Sequence, residues 1–334
     1  MKKKIINLIT YLFTLGLGIF FIWLSLKDLQ PADIEEIKLA VRQANYNLLI
    51  PIIIMGLVSH WSRAVRWRCL MEPLGYTPSI KNTFFAVMIG YLANLAFPRL
   101  GEVLKCTILA RYEKVPADKL VGTIIAERAF DLLCLIILFF VTFLVQIDFA
   151  TDYINSLLEK MRLNRAEGSG GCGWYYLGAV ALLIALLIIF RKKIGAIGFI
   201  IKIKNVLLNI MSGITSFKNM KNKGVFVLHT VLIWAMYLGM IVIGFQSINE
   251  TNMLGLKAGF SVLSFGSVGM IVTPGGIGMY TKIVQEIVEL YSIKYSISVA
   301  ISWIIWLVPT FIIIVAGLIS MVLLPLLNKK TNAE

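Results

Sequence analysis

Residues 84–102 read FFAVMIGYLANLAFPRLGE. The apolar part, 84–97, reaches only ~21 Å as a helix at ~1.5 Å per residue, short of a hydrocarbon core ~30 Å thick. Pro98 stops it, and Arg99, Gly101 and Glu102 follow within four residues. A second stretch, 258–273, is built alike and stops at Pro274, which opens Pro-Gly-Gly-Ile-Gly278. Each predicts a half-helix that enters a membrane, breaks and returns. Irregular backbone at that depth is tolerated only where protein buries it or where it lines a cavity.

Longer apolar runs flank these two stretches, at about 5–26, 46–65, 120–146, 174–190, 225–247 and 296–325. Of 334 residues, 58% are hydrophobic and 15% charged, where soluble domains carry roughly 25% charge. The expected fold is therefore an all-α polytopic membrane protein. It has about six full transmembrane helices and two re-entrant helix pairs, in a single domain over 1–334. Lys2, Lys3 and Lys4 precede the first run as in a signal peptide. That run is too long, however, and ends at Lys27-Asp28 without a small-x-small cleavage site, which predicts an uncleaved first helix.

The net charge of +14 would suggest nucleic acid in a soluble protein. Here the lysines sit between apolar spans, so nucleic acid is not expected and loops facing anionic lipid are. With both termini cytoplasmic, 21 of the 32 basic residues fall on cytoplasmic segments, 9 on the other side, and Arg99 and Arg128 at membrane depth. The reverse orientation would invert that bias. A cytoplasmic (inner) membrane is the expected location. Residues 147–173 read as an external loop. Residues 195–223 place isoleucines and Phe217 opposite lysines at helical spacing, as in a cytoplasmic amphipathic segment.

Shifting the sequence by 176 residues carries Pro98 onto Pro274, Gly90 onto Gly266 and Lys81 onto Lys257. The shared layout is span, half-helix, proline break, returning helix, span. It gives two repeats, 46–146 and 225–325, which the charge bias sends in from opposite sides. Paired broken helices in inverted repeats are a recurring transporter design, with the substrate where the breaks meet. Duplication kept only for folding is the plainer alternative.

The candidate substrate-binding residues gather at these breaks. Arg99 with Gly101, at the start of the returning helix, forms a plausible phosphate cradle, and Glu102 suits the first turn. Glu127, Arg128 and Asp131 share a helix; Glu127 and Asp131 are spaced i,i+4, and Arg128 and Asp131 i,i+3. They fit a relay or a clamp around Arg99, or a charge network that only fixes packing. The set Arg99, Glu102, Glu127, Arg128 and Asp131 sums to −1. Pro274, Gly275, Gly276 and Gly278 suit either a sharp turn or close approach of backbone N–H groups to an anion. Arg63 and Arg66, placed at the end of the second span, are candidates for lipid phosphate at the inner surface, or set topology alone. Trp61, Trp67 and Trp174 read as interface-belt residues. Cys69, Cys106, Cys134 and Cys172 have no metal spacing, and His60 and His229 are isolated. No metal or cofactor is expected. The sequence contains no Walker, GxSxG or HExxH motif, so it gives no support to ATP-driven transport or familiar hydrolysis.

Together, Arg66-Trp67, Phe97-Pro-Arg-Leu-Gly-Glu102, Glu127-Arg-x-x-Asp131 and Thr273-Pro-Gly-Gly-Ile-Gly278 resemble the flippase-like family, the membrane region of lysylphosphatidylglycerol synthases, which also occurs stand-alone. The resemblance covers nearly the whole chain. It implies translocation of an anionic lipid or polyprenyl-phosphate-linked lipid, with membrane phospholipid or lipid-linked phosphate as the partner. It implies no catalysis, although an intramembrane transferase acting on a lipid-linked sugar and a non-transporting subunit are the alternatives. A homo-oligomer or a separate lipid-modifying enzyme is the protein partner it suggests. With seven residues after Leu327, the synthase domain is not expected. Three positions depart from the family pattern. Lys105 stands where arginine is common, Thr281 where an acid is common, and Trp303 or Trp306 near the place of a final-span arginine.

Overall fold

A computed structural model describes residues 2–97, 100–147, 217–218 and 220–328. Every regular element among them is helical. In chain order these are α1 (Lys2–Leu26), α2 (Pro31–Gln43), α3 (Leu49–Met71), α4 (Ile80–Ala96), α5 (Leu100–Glu113), α6 (Ala117–Val145), α7 (Lys223–Phe245), α8 (Leu256–Val272), α9 (Met279–Leu290) and α10 (Tyr295–Leu327). Four segments are long and apolar enough to cross a membrane: Tyr46–Leu74, Ala117–Val145, Lys223–Phe245 and Tyr295–Leu327. The bent pair Leu12–Leu26 and Pro31–Gln43, turned by 102°, supplies a fifth if counted as one span. The expected span at 174–190, the loop at 147–173 and most of the segment at 195–223 lie outside the described residues.

The two short apolar helices stand where the proline breaks predict them. α4 and α8 each hold 17 residues, and both ends of one are displaced by 176 from the other. Each turns back immediately, α4 onto α5 and α8 onto α9. In the first turn-back the backbones nearly touch: a Cβ on Gly101 would lie 1.9 Å from the Gly90 carbonyl oxygen. The Gly101 N–H is held by Asn94 Oδ1 at 2.8 Å.

α3 and α7 form the central pair and run antiparallel. The Asn45 N–H donates to the Ser247 carbonyl at 2.8 Å at one end. At the other end Asn222 Nδ2 donates to Glu72 Oε2 at 3.1 Å. Each half-helix packs on the long helix of the other half, α4 on α10 and α8 on α6. Two apolar cores result. One surrounds Phe245, Val262, Val288 and Ile301. The other surrounds Trp67, Met71, Leu109 and Leu120.

The end of α4 meets the second break. Leu95, near the end of α4, packs so tightly on Gly275 that a Cβ there would fall 2.6 Å from its Cδ2. Trp306 of α10 donates its indole N–H to the Gly275 carbonyl at 2.9 Å. α1 covers the second break from the opposite side, where Gly278 has a φ of +72° and a Cβ would fall 2.1 Å from the Gly18 carbonyl oxygen. Only glycine combines that backbone with that approach.

Candidate functional site: a buried charge cluster on α3, α5 and α6

α3 does not end near residue 65 but continues to Met71. Arg63 and Arg66 thus stand inside the helix rather than at its end, and both are buried, 6% and 0% exposed. This corrects the expectation that both face lipid phosphate at the inner surface. Spaced i,i+3 on one face, they grip the carboxylates that α6 presents at i,i+4. Arg63 Nη1 lies 3.2 Å from Glu127 Oε1 and 2.8 Å from Asp131 Oδ2. Arg66 Nη2 lies 3.4 Å from Glu127 Oε1 and 2.6 Å from Asp131 Oδ1. The fully buried Trp67 is likewise not an interface-belt residue; its indole N–H donates to Thr123 Oγ1 at 2.9 Å. Trp174 lies outside the described residues.

α5 adds the third cation. Lys105 Nζ reaches Glu127 Oε2 at 2.7 Å and sits 4.5 Å from the Trp67 ring centroid. Glu127, 0% exposed, is thus held by three cations on two other helices. Arg128 points the other way along α6, with Nε 3.1 Å from Glu102 Oε1 and Nη1 3.8 Å from Asp131 Oδ2. Its side chain is 44% exposed, that of Glu102 33%. These two form the open face of an otherwise sealed cluster. They border a narrow crevice of about 10 Å³, roughly the room of one water, that Tyr91, Asn94, Gly101 and Lys105 also line.

The cluster therefore holds four cations and three carboxylates, a surplus of one positive charge among the described residues. Relative to the sequence-based set, Arg63, Arg66 and Lys105 join and Arg99 is not counted, so the sum moves from −1 to +1. Arg66 Nε and Nη1 and Arg63 Nε are buried without a hydrogen-bond partner. The Arg66 guanidinium instead lies 5.9 Å from the Phe226 ring centroid. A buried cation left short of partners is costly, so the arrangement favours an anion nearby. Arg99 lies outside the described residues.

The second break carries no such chemistry. The N–H groups of Gly276 and Ile277 are used within the turn, donating to the carbonyls of Thr273 and Pro274. Thr281 Oγ1 donates to the Gly278 carbonyl at 3.0 Å. Pro274 and Gly276 are buried. Of the two readings of this glycine run, the sharp turn is the one whose geometry is present.

Sequence reasoning passed over Tyr91, Asn94 and Tyr237, whose hydroxyl lies 3.4 Å from Arg63 Nη2. It gave Lys105 no partner. A usable signal existed: His60, Arg63, Arg66 and Trp67 fall on one face of a helix by their spacing, and two arginines on one helix face need carboxylates on another. Among the described residues, no group of three or more His, Cys, Asp or Glu side chains could hold a metal ion.

Comparison with known proteins agrees with the resemblance carried by the motifs. Residues 9–317 match the model of the lysylphosphatidylglycerol synthase TM region. A UPF0104 membrane protein of Methanocaldococcus jannaschii is 24% identical over 190 residues, 56% of this chain. The match spans about half of that relative's length, 49%. No solved structure matches. With its broken half-helices, its buried arginines and a family match over nearly its whole length, the chain belongs to the lysylphosphatidylglycerol synthase transmembrane-region family.

Proposed function

We propose that this protein translocates an anionic lipid, a phospholipid or polyprenyl phosphate, between the leaflets of a cytoplasmic membrane. The observation that carries the reading is Arg128. It lies 11 residues into α6, about 16 Å along the helix, yet 44% of its side chain is exposed. A half-exposed arginine at that depth needs water or a phosphate beside it. Behind it stands the positive surplus, and before it only Glu102. A lipid phosphate at the mouth of the crevice would displace Glu102 from Arg128 and neutralise the surplus, while its tails stay in the bilayer. Arg63, Arg66, Glu127 and Asp131 would not touch it. They lock α3 to α6 and fix the geometry of Arg128.

An inverted-topology repeat with both termini cytoplasmic fits this reading. Its support is the 176-residue displacement of equal-length half-helices, the antiparallel α3–α7 pair and the reciprocal packing of α4 on α10 and α8 on α6. A two-fold relation between adjacent antiparallel helices places its axis across them, that is, in the membrane plane. The basic-residue bias supports the orientation.

The test is lipid flipping in proteoliposomes with fluorescent phosphatidylglycerol. Arg128→Lys should keep part of the wild-type rate, because charge survives while the bidentate fork is lost. Arg128→Gln should lose the activity and still fold, because Glu102 can hydrate. Wild-type flipping by a folded Arg128→Gln protein would remove this assignment.

A further inference from the structure

Away from the charge cluster, a groove of about 260 Å³ lies between α5 and the last turns of α10. Its α5 wall is Leu104, Thr107, Ile108 and Arg111, which share a helix face by their spacing. Met321 and Leu324 form the facing wall. The slot is apolar for about 10 Å along α5 and ends at a single cation. Arg111 is exposed and makes no ion pair among the described residues. Its guanidinium lies 5.7 Å from the Tyr112 ring centroid. Glu113, the carboxylate nearest in sequence, is engaged by Asn82 Nδ2 at 2.6 Å. Asn82 in turn exchanges side-chain amide hydrogen bonds with Asn328 at 3.0 and 2.9 Å. That exchange ties α4 to the end of α10 beside the groove.

We propose that this groove is a binding site for one anionic glycerophospholipid, with an acyl chain along the α5–α10 slot and the phosphate on Arg111. The site is separate from the crevice at Arg128 and does not depend on that reading. Within a bilayer a chain gains little by leaving lipid for an apolar slot, since lipid tails are as apolar as leucine. Selectivity must then come from the head end. A guanidinium with no carboxylate partner among the described residues is suited to a bidentate phosphate contact. A lipid seated there bridges the first hairpin and the last long helix along the side that the asparagine pair leaves open.

The test uses the full chain in detergent, titrated with phosphatidylglycerol or phosphatidylcholine and read by native mass spectrometry. Thermal unfolding of each variant reports folding. In an Arg128→Gln background, which removes the other candidate lipid site, the chain should hold one phosphatidylglycerol that phosphatidylcholine does not replace, and the Arg111 and Thr107 variants are compared in that background. Arg111→Gln should weaken that binding roughly tenfold or more, the loss of a charge-assisted contact, and Arg111→Lys should fall between. Thr107→Trp, on the exposed rim, fills the slot while leaving Arg111 and should also expel the lipid. Undiminished retention by folded Arg111→Gln, equal binding of phosphatidylcholine, or competition by glycerol phosphate at concentrations similar to the lipid would overturn the proposal; the last would mark a free-anion site.

Discussion

In the first hairpin, α4 and α5 close around Glu102 and Lys105 and deliver them to the carboxylates and arginines of α3 and α6. In the second, α8 and α9 close around Gly278, Tyr280 and Thr281, and the ion pair on α9, Lys282 with Glu286, stays within that helix. At the 176-residue displacement every cluster member meets a small or apolar residue. Arg63 corresponds to Gly239, Arg66 to Val242 and Lys105 to Thr281. Glu127, Arg128 and Asp131 correspond to Trp303, Ile304 and Leu307. The same backbone device thus carries charge once and packing once. The difference extends to cover. Gly278 is pressed against Gly18 of α1, and Ser25 Oγ bonds Gln285 Oε1 at 2.5 Å. The crevice at Arg128 stays open. One hairpin is dressed as a site and the other as a support.

The largest effect should come from the buried carboxylate that only the first half possesses. Glu127→Gln leaves Lys105 and two arginines short of a counter-charge and should cost about 3–5 kcal/mol, read as thermal unfolding in detergent. Lys105→Met added to it should recover part of the loss. The exposed Glu286, 2.6 Å from Lys282 on α9, is the control from the other half, where Gln should cost under about 1 kcal/mol. Similar losses at both positions would break the contrast between the hairpins.

A smaller effect should be shared by the halves. Gly101→Ala drives a methyl into the Gly90 carbonyl, and Gly278→Ala into that of Gly18. Overpacking of this kind typically costs about 1–3 kcal/mol, with added backbone strain at Gly278, whose φ is +72°. A neutral Gly101→Ala, measured the same way, would mean that the first hairpin is free to open.

The smallest effect concerns α2, which also serves the second half. It is too polar to span, with Asp33, Glu35, Glu36, Lys38 and Arg42 in 13 residues. Ser296 Oγ and Lys294 Nζ donate to Glu36 at 2.6 and 2.9 Å, and these bonds hold its carboxyl below the ordinary value. A lowered folded-state value stabilises above the unfolded one, near 4.5, and the contribution is lost as pH falls through the folded value. Wild type minus Glu36→Gln should show a difference of about 1–2 °C in Tm at neutral pH that vanishes in acid. A pH-independent difference would remove Glu36 as the tie.

The half-helices were legible because a proline after an apolar run too short to span has few other meanings. Sequence placed the first at 84–97, and the helix begins four residues earlier, at Ile80. The second, placed at 258–273, begins two earlier, at Leu256. The i,i+4 and i,i+3 spacings of Glu127, Arg128 and Asp131 correctly marked a shared helix. What failed was depth. Arg63 and Arg66 look like the end of a span because burial of charge is invisible to hydropathy; only their partners 61 to 68 residues away make it tolerable. Lys105 failed for the same reason, since Glu127 and Trp67 meet it only through tertiary packing.

That separation has a consequence for biosynthesis. As α3 leaves the ribosome it carries Arg63 and Arg66 but none of the carboxylates that will neutralise them. Each arginine near a helix centre disfavours insertion by about 2.5–3.5 kcal/mol. Synthesis proceeds at about 5–20 residues per second, so the 61 to 68 residues to Glu127 and Asp131 correspond to roughly 3–14 s. For that interval α3 must be sheltered by the insertion machinery or wait at the membrane surface. The ion pairs that fix the finished protein thus also set the order of its assembly, with α3 settling only once α6 has arrived.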